Sequence, residues 1–187
     1  MMKNILIITS HPSSKGFTHV LAKRIYKVEK ERGNAIEIID LYKSDFKNSF
    51  VTFEEHPKEI TIPTHIQEMQ EKIRSVDELI VITPMWNLDT PAILKNWFDG
   101  VFTARFAFVF TKWGVPKGLL TDKVVKMYIT CDAPSWFYKI SGNLTKKLWK
   151  KWRFGICGMK MKDFKIIGKM RLKSQEEREK LVIKLYP

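Results

Sequence analysis

Four short apolar runs, separated by long stretches of mixed polarity, constrain this chain more than any other feature. The runs are Asn4–Thr9, Ala35–Asp40, Glu78–Thr83 and Val124–Cys131. The first and third consist almost entirely of Ile, Leu and Val, a pattern typical of strands that are buried on both faces. Because at least 25 residues separate consecutive runs, the strands cannot pair through tight hairpins, and crossover connections are expected.

Segments with helical periodicity fill the intervals between these runs. Apolar residues recur at helical spacing in Phe17–Arg32, where His19 is expected to face solvent. The segment Ile66–Arg74 is amphipathic, and a third helix is expected to open after Thr90, its cap, and to continue through Phe102. Strand–helix–strand units of this kind predict an α/β fold with a central parallel sheet.

The C-terminal part of the chain adds further elements. A helix is expected over Ser141–Trp152, and a fifth strand within Ile156–Ile167. The segment Ser174–Leu185 is expected to form a closing helix, because Ser174 can cap it and Glu177 lies three residues further on. Residues 42–63 and 103–118 are the two long irregular stretches, and such loops often carry function. Since no repeat or linker interrupts the pattern, residues 1–187 are interpreted as a single domain.

Composition limits the kinds of protein this chain can be. A hydrophobic content of 44% is enough for a core, and no apolar run is long enough to span a membrane. The N-terminus lacks a signal-peptide pattern, and the two cysteines, Cys131 and Cys157, form no disulfide framework. These features predict a cytoplasmic protein. No His, Cys and acidic residues stand at metal-ligand spacing, so no metal site is expected.

Charge is distributed unevenly along the chain. Residues 1–104 carry 13 Lys and Arg against 14 Asp and Glu, whereas residues 105–187 carry 20 against 6. The segment 139–173 alone holds twelve basic residues and one acidic residue, Asp163. This asymmetry indicates either a solvated face or attraction to an anionic partner: a phosphorylated cofactor, nucleic acid, a membrane surface or an acidic protein. Nucleic acid is disfavoured, because no nucleic-acid-binding motif is present.

The loop after the first strand is rich in polar side chains. It reads Ser10-His11-Pro12-Ser13-Ser14-Lys15-Gly16 and leads into the helix that begins with Phe17 and Thr18. Parallel sheets bind ligands at the carboxyl ends of their strands, and the free N–H groups of a helix start attract anions. The loop is therefore a candidate phosphate cradle, although a polar turn that caps a helix would look the same. It lacks the glycine patterns of nucleotide triphosphatases and of dinucleotide-binding folds.

Two further loops are expected at the same edge of the sheet. The third strand is followed by Pro84, Met85, Trp86, Asn87 and Leu88, and the fourth ends in Thr130, Cys131 and Asp132. A planar ring could lie against Met85 and Trp86 while loop N–H groups face its polar edge. The alternative is that Trp86 fills the core or a subunit interface. Together the three loops offer a phosphate end and a flat apolar end.

These motifs resemble those of the flavodoxin-like NAD(P)H:quinone oxidoreductases, which include bacterial modulators of drug activity and ancillary subunits of potassium efflux systems. The resemblance covers most of the chain. It rests on Ser10-His11-Pro12 with Phe17, on TPMW at 83–86 and on TPAILKNWFDGVF at 90–102. The run FAF at 106–108, SGNLTKK at 141–147 and EEREK at 176–180 are also similar.

The resemblance implies a three-layer flavodoxin-like fold, with a five-stranded parallel sheet in the order 2-1-3-4-5 and helices on both faces. It also implies a bound flavin, FMN or alternatively FAD, and a homodimer with active sites at the interface. NADH or NADPH would donate two electrons, which would pass by ping-pong hydride transfer through the flavin to a quinone or similar aromatic acceptor. No catalytic acid is assigned. The implied cofactor-binding residues are Ser10, His11, Phe17, Thr18, Pro84, Met85, Trp86, Asn87, Leu88, Thr130, Cys131 and Asp132.

One departure from the family pattern bears on the site. A glycine-rich turn usually follows the fourth strand, whereas this chain reads Thr130-Cys131-Asp132-Ala133-Pro134. Ala and Pro restrict the close approach of backbone to a ring, and a carboxylate at Asp132 is unfavourable beside a reduced, anionic flavin. The departure leaves open a second class of function, a regulatory subunit that binds a membrane transporter or another protein and has secondary or lost reductase activity.

Overall fold

The structure is a computed structural model that describes residues 2–44, 50 and 61–187. A parallel sheet forms its middle layer. In chain order the strands are β1 (Asn4–Thr9), β2 (Ala35–Asp40), β3 (Glu78–Pro84), β4 (Phe108–Phe110), β5 (Pro116–Gly118), β6 (Val124–Thr130) and β7 (Lys160–Ile167). Five of them form the sheet in the order β2-β1-β3-β6-β7, and every neighbouring pair is parallel. Counted within the sheet this is the order 2-1-3-4-5, so the predicted flavodoxin-like topology is confirmed.

Helices cover both faces of the sheet. They are α1 (Phe17–Glu31), α2 (Thr64–Ser75), α3 (Ala92–Val101), α4 (Ser135–Ile140), α5 (Leu144–Lys147) and α6 (Gln175–Leu185). A π-helical turn, Leu148–Arg153, continues α5, and a 3-10 turn spans Met170–Leu172. Among the described residues, no helix is long and apolar enough to cross a bilayer.

The core divides into two clusters because successive side chains of a strand point to opposite faces of the sheet. Ile5 and Ile7 of β1 pack with residues of α1 and α6, whereas Leu6 and Ile8 pack with residues of α2, α3 and the π-helical turn. All seven residues of β3 are buried. Each Leu or Ile buried in this way contributes about 1.5–3 kcal/mol to the free energy of unfolding.

Most of the predicted element boundaries are confirmed to within a residue or two, but three expectations are wrong in detail. Thr90 is not a helix cap: Pro91 occupies the N-cap position of α3, which has no side-chain cap hydrogen bond. The helix expected over 141–152 begins only at Leu144, because Asn143 adopts a left-handed conformation. Part of the stretch 103–118 forms the antiparallel β4–β5 hairpin. Most of the stretch 42–63 lies outside the described residues.

Candidate functional site

Hydrogen bonds join the loops that follow β1, β3 and β6 at one edge of the sheet. The Ser10 hydroxyl donates to Thr83 Oγ1 at 2.7 Å, which links the first loop to the end of β3. The backbone N–H of Met85 donates to the carbonyl oxygen of Thr130 at 2.7 Å, which links the second loop to the third. The three predicted loops are therefore neighbours, as the parallel topology requires.

The first loop presents polar groups that lack partners. The N-cap of α1, Gly16, makes no side-chain cap hydrogen bond, so the first N–H groups of this helix are not capped by a side chain. The hydroxyls of Thr9 and Thr18 are buried, and neither has a hydrogen-bond partner among the described residues. A buried hydroxyl without a partner is costly, so both groups and the helix start are suited to an anionic ligand. The side chain of Phe17, by contrast, is buried in the core.

His11 shapes this loop through its contacts with the loop backbone. Its Nδ1 accepts the N–H of Ser13 at 3.0 Å. The imidazole lies so close to Gly16 that a Cβ atom there would come within 2.6 Å of His11 Nδ1. The absence of a side chain at Gly16 is therefore what allows the ring to lie over the start of α1.

His19 does not face solvent, so that expectation is wrong. Its side chain is only 12% exposed, and Nε2 lies 3.8 Å from the Asp40 carboxylate. The same nitrogen is 3.3 Å from the carbonyl oxygen of His11. The reason is that the loop after β1 and the end of β2 both fold over the first turn of α1, which sequence periodicity alone does not reveal.

The second loop is a tight turn with an unusual conformation. Trp86 and Asp89 exchange backbone hydrogen bonds of 2.8 and 2.9 Å. The two residues between them, Asn87 and Leu88, have φ angles of 48° and 65°. Asn tolerates the left-handed region, but Leu adopts it at a cost of about 1–2 kcal/mol. The side chains of Trp86 and Leu88 remain about half exposed, at 45% and 47%. Conformational strain of this kind is often found at binding sites.

A cluster of side chains from the helical segment 144–153 holds the turn in place. The Arg153 guanidinium makes a bidentate ion pair with the Asp89 carboxylate, with N–O distances of 3.1 and 2.9 Å. The indole N–H of Trp149 donates to Asp89 at 3.1 Å, and the guanidinium lies 4.2 Å from the indole centroid. The Thr145 hydroxyl donates to the carbonyl oxygen of Leu88 at 2.5 Å. We call these contacts the Asp89 clamp.

The electrostatics of the clamp favour an ionised carboxylate. Burial alone would raise the pKa of Asp89, but hydrogen bonds from Arg153, from the Thr90 N–H and from Trp149 outweigh burial and hold the pKa below its usual value. Sequence patterns did not predict this cluster. The only signal was the spacing of Thr145, Trp149 and Arg153, which are four residues apart on one helical face.

The third loop carries the departure from the family pattern. Cys131 is buried, and its N–H donates to the carbonyl oxygen of Ile167 at 2.9 Å. The Asp132 carboxylate lies 3.0 Å from the Arg171 guanidinium and also accepts the Arg171 N–H. Its negative charge is thus partly compensated, which reduces the conflict expected with an anionic ring.

Burial and the neighbouring Cys131 raise the pKa of Tyr138 to about 12, so this phenol stays protonated. Tyr138 had not been predicted to lie near the loop.

Comparison with known proteins agrees with this geometry. The chain is 31% identical over 185 residues to an NAD(P)H oxidoreductase of Haemophilus influenzae, with 96% of this chain and 90% of the relative covered. It is 27% identical to the FMN-dependent NADH:quinone oxidoreductase of Mycoplasmopsis pulmonis, covering 92% of this chain and 87% of that protein. Among solved structures, Smu.1420 from Streptococcus mutans superposes with a TM-score of 0.83 at 27% identity, covering 97% and 96% of the two chains. Residues 3–184 match a protein family whose members have a flavodoxin-like fold, and the chain belongs to this family.

Proposed function

We propose that this chain is an FMN-dependent NAD(P)H oxidoreductase that reduces quinones. Two features at one sheet edge carry the proposal. One is an uncapped helix start beside buried hydroxyls that lack partners among the described residues, and the other is a strained, partly exposed turn. The family and the oxidoreductase names of the relatives agree with this chemistry. The regulatory alternative is not favoured, because the matched relatives carry enzyme names.

The residues present fit the phosphate end of FMN. The phosphate would accept hydrogen bonds from the N–H groups at the start of α1 and from the Thr18 hydroxyl, which is fully buried and has no partner in the described part of the chain. Backbone at this position binds anions well, because the helix dipole and the free N–H groups act together. Phe17 would contribute its N–H rather than its buried ring, and Ser10 would act by holding the loop to β3 through Thr83.

The second and third loops fit the ring end. The turn from Pro84 to Leu88 would carry the isoalloxazine, with Met85, Trp86 and Asn87 beside it, and Thr130 to Asp132 would complete the pocket. Turns with left-handed residues can present backbone N–H groups to a ligand, and Asn87 and Leu88 form such a turn. FMN, when bound, supplies the two-electron chemistry. The chain's own residues bind and orient it, while Trp86 and Leu88 offer apolar surface that excludes water from one side.

We extend the proposal to assembly and compartment. The β4–β5 hairpin exposes Phe110, Trp113 and Val115 at 64%, 79% and 58%. Apolar side chains exposed together in this way favour a protein interface, which supports the homodimer that the resemblance implied. The cysteines are free and buried, which suits a reducing cytoplasm. A membrane-protein partner stays a prediction.

The test is steady-state reduction of a water-soluble benzoquinone by the FMN-loaded protein, with NADH and with NADPH as alternative donors. The proposal predicts oxidation of the nicotinamide that requires both quinone and FMN, with the parallel reciprocal plots of a ping-pong mechanism. A protein that retains FMN but oxidises neither donor in the presence of quinone would contradict it.

A further inference from the structure

Helix α4 is apolar, yet none of its six residues is buried. The side chains of Trp136, Phe137 and Ile140 are exposed at 57%, 44% and 78%. Two more large apolar side chains on the next helical segment, Leu144 and Trp152, are exposed at 60% and 58%. Five exposed large apolar side chains within residues 136–152 are more than chance exposure explains, and such groups mark interaction sites.

Lysines lie among these apolar residues. Lys139, Lys146, Lys147, Lys150 and Lys151 are all exposed, and within the described residues none of them has a carboxylate within ion-pair distance. Several of them border two clefts of about 550 and 650 Å³, which no acidic side chain lines. The structure therefore gathers much of the basic excess of segment 139–173 onto one surface. We call these lysines and the five apolar residues the basic–apolar surface.

The composition of this surface identifies its occupant. A second copy of the chain is disfavoured, because a two-fold interface places the same surface against itself and would oppose lysine to lysine. Trp136, Phe137 and Trp152 could stack on bases, but Ile140 and Leu144 could not. Nucleic acid is disfavoured because the chain also carries no nucleic-acid-binding motif. Trp and aliphatic side chains interleaved with lysines are characteristic of segments that lie in the interface of an anionic bilayer.

We propose that the basic–apolar surface binds reversibly to the headgroups of an anionic lipid bilayer. The lysines would contact lipid phosphates, and Trp136, Ile140 and Leu144 would enter the headgroup region. The opposite face of the same helical segment carries Thr145, Trp149 and Arg153, which hold the turn at Asp89. Where the proposed quinone reductase function holds, docking brings the second loop close to a membrane, where lipid-soluble quinones reside.

The experiment is co-sedimentation of the full FMN-loaded chain with vesicles. Vesicles of phosphatidylglycerol and phosphatidylcholine are compared with phosphatidylcholine alone, at low and at high salt. We expect binding to the anionic vesicles that weakens with salt, and little binding to the neutral ones. Each lysine near an anionic surface is worth about fivefold in the partition coefficient, so Lys146→Gln/Lys150→Gln/Lys151→Gln should lower it about a hundredfold.

A matched control removes the same charge elsewhere. Lys23, Lys27 and Lys30 are exposed on α1, which packs on the face of the sheet opposite to the π-helical turn. Their triple Gln variant should bind nearly as well as the parent. The variant Ile140→Ala/Leu144→Ala keeps every lysine and should lower the partition coefficient about tenfold or more for each side chain, because apolar burial is removed.

Three results would overturn the proposal: equal binding to neutral and anionic vesicles, equal losses in the two lysine triples, or tighter binding to duplex DNA than to vesicles at equal phosphate concentration. Sedimentation equilibrium could give a fourth such result, in which Lys146→Gln/Lys150→Gln/Lys151→Gln converts a dimer to monomers. The surface would then be an interface between copies of the chain. Failure here is distinguishable from failure of the proposed function, because flavin retention and reduction of a soluble quinone need no vesicles.

Discussion

Replacing Asp89 with Ala removes the centre of the Asp89 clamp and leaves a buried charge behind. The Arg153 side chain is only 9% exposed, and it forms an ion pair with Asp89. Breaking a buried pair by removing one partner costs about 3–5 kcal/mol. Because the Asp89 side chain is itself 35% exposed, solvent screening reduces this, and we expect a loss of about 2–3 kcal/mol in the free energy of unfolding. For a chain of this length that lowers Tm by about 5–10 °C.

The same substitution should weaken FMN binding. The clamp holds Asn87 and Leu88 in the left-handed region, and without it the turn can relax. Binding must then restore a conformation that costs about 1–2 kcal/mol at Leu88 alone, so the Kd for FMN should rise about tenfold or more. Thermal unfolding measures the first effect and fluorescence titration of FMN measures the second.

A matched control is Asp99→Ala, which removes an exposed carboxylate paired with Lys95 on α3. We expect a change below about 0.5 kcal/mol and an unchanged Kd for FMN. The double variant Asp89→Ala/Arg153→Leu should recover part of the lost stability, since no buried charge remains, but not the FMN affinity. Unchanged FMN affinity in Asp89→Ala, with Tm lowered as expected, would refute the idea that the clamp organises the turn.

The clamp also predicts a dependence of stability on pH. Because, despite burial, hydrogen bonds from Arg153, Thr90 and Trp149 hold the pKa of Asp89 below its usual value, its ionisation favours the folded state, and this contribution is complete above the pKa of the unfolded chain. This contribution is lost as the pH falls through the lowered pKa. The Tm difference between the parent and Asp89→Ala should therefore be constant near neutrality and shrink in acid.

Three further predictions follow from single residues. Gly16→Ala should displace the His11 ring, because the new Cβ would lie 2.6 Å from Nδ1, and should raise the Kd for FMN with little change in Tm. Leu88→Gly should raise Tm by about 2–4 °C, because φ is 65° and the side chain is half exposed; a lower Tm would show that Leu88 is not strained. Cys131 and Cys157 should both resist a thiol reagent in the native protein at neutral pH, because burial raises the pKa of Cys131 and raises that of Cys157 to about 12; rapid labelling of either would contradict its burial.

The elements that sequence patterns predicted well are those governed by local signals. The bounds of β1 follow from a nearly continuous apolar run, which is typical of a strand that is buried on both faces. The start of α6 follows from a capping box, in which Ser174 and Glu177 exchange hydrogen bonds as expected. The resemblance supplied the order of the strands and the expectation of a flavin, with FAD left as the alternative to FMN.

The remaining features depend on contacts between distant segments. Thr90 does not cap α3: Pro91 occupies the N-cap position, and the Thr90 N–H donates to the Asp89 carboxylate at 2.8 Å. Asp89 in turn is held by Arg153, which is 64 residues away in the chain. No local pattern predicts such a pair, and the strain at Leu88 that it stabilises is equally invisible in sequence. The contacts between the twelve predicted cofactor-binding residues and FMN stay predictions.

The most direct test of the central claim is the visible absorption spectrum of the purified protein after loading with FMN and gel filtration. The account predicts flavin bands that co-elute with the protein and bleach when NADH or NADPH is added without oxygen. Loading with FAD in parallel should give weaker retention. A protein that retains no flavin under any loading condition would contradict the account.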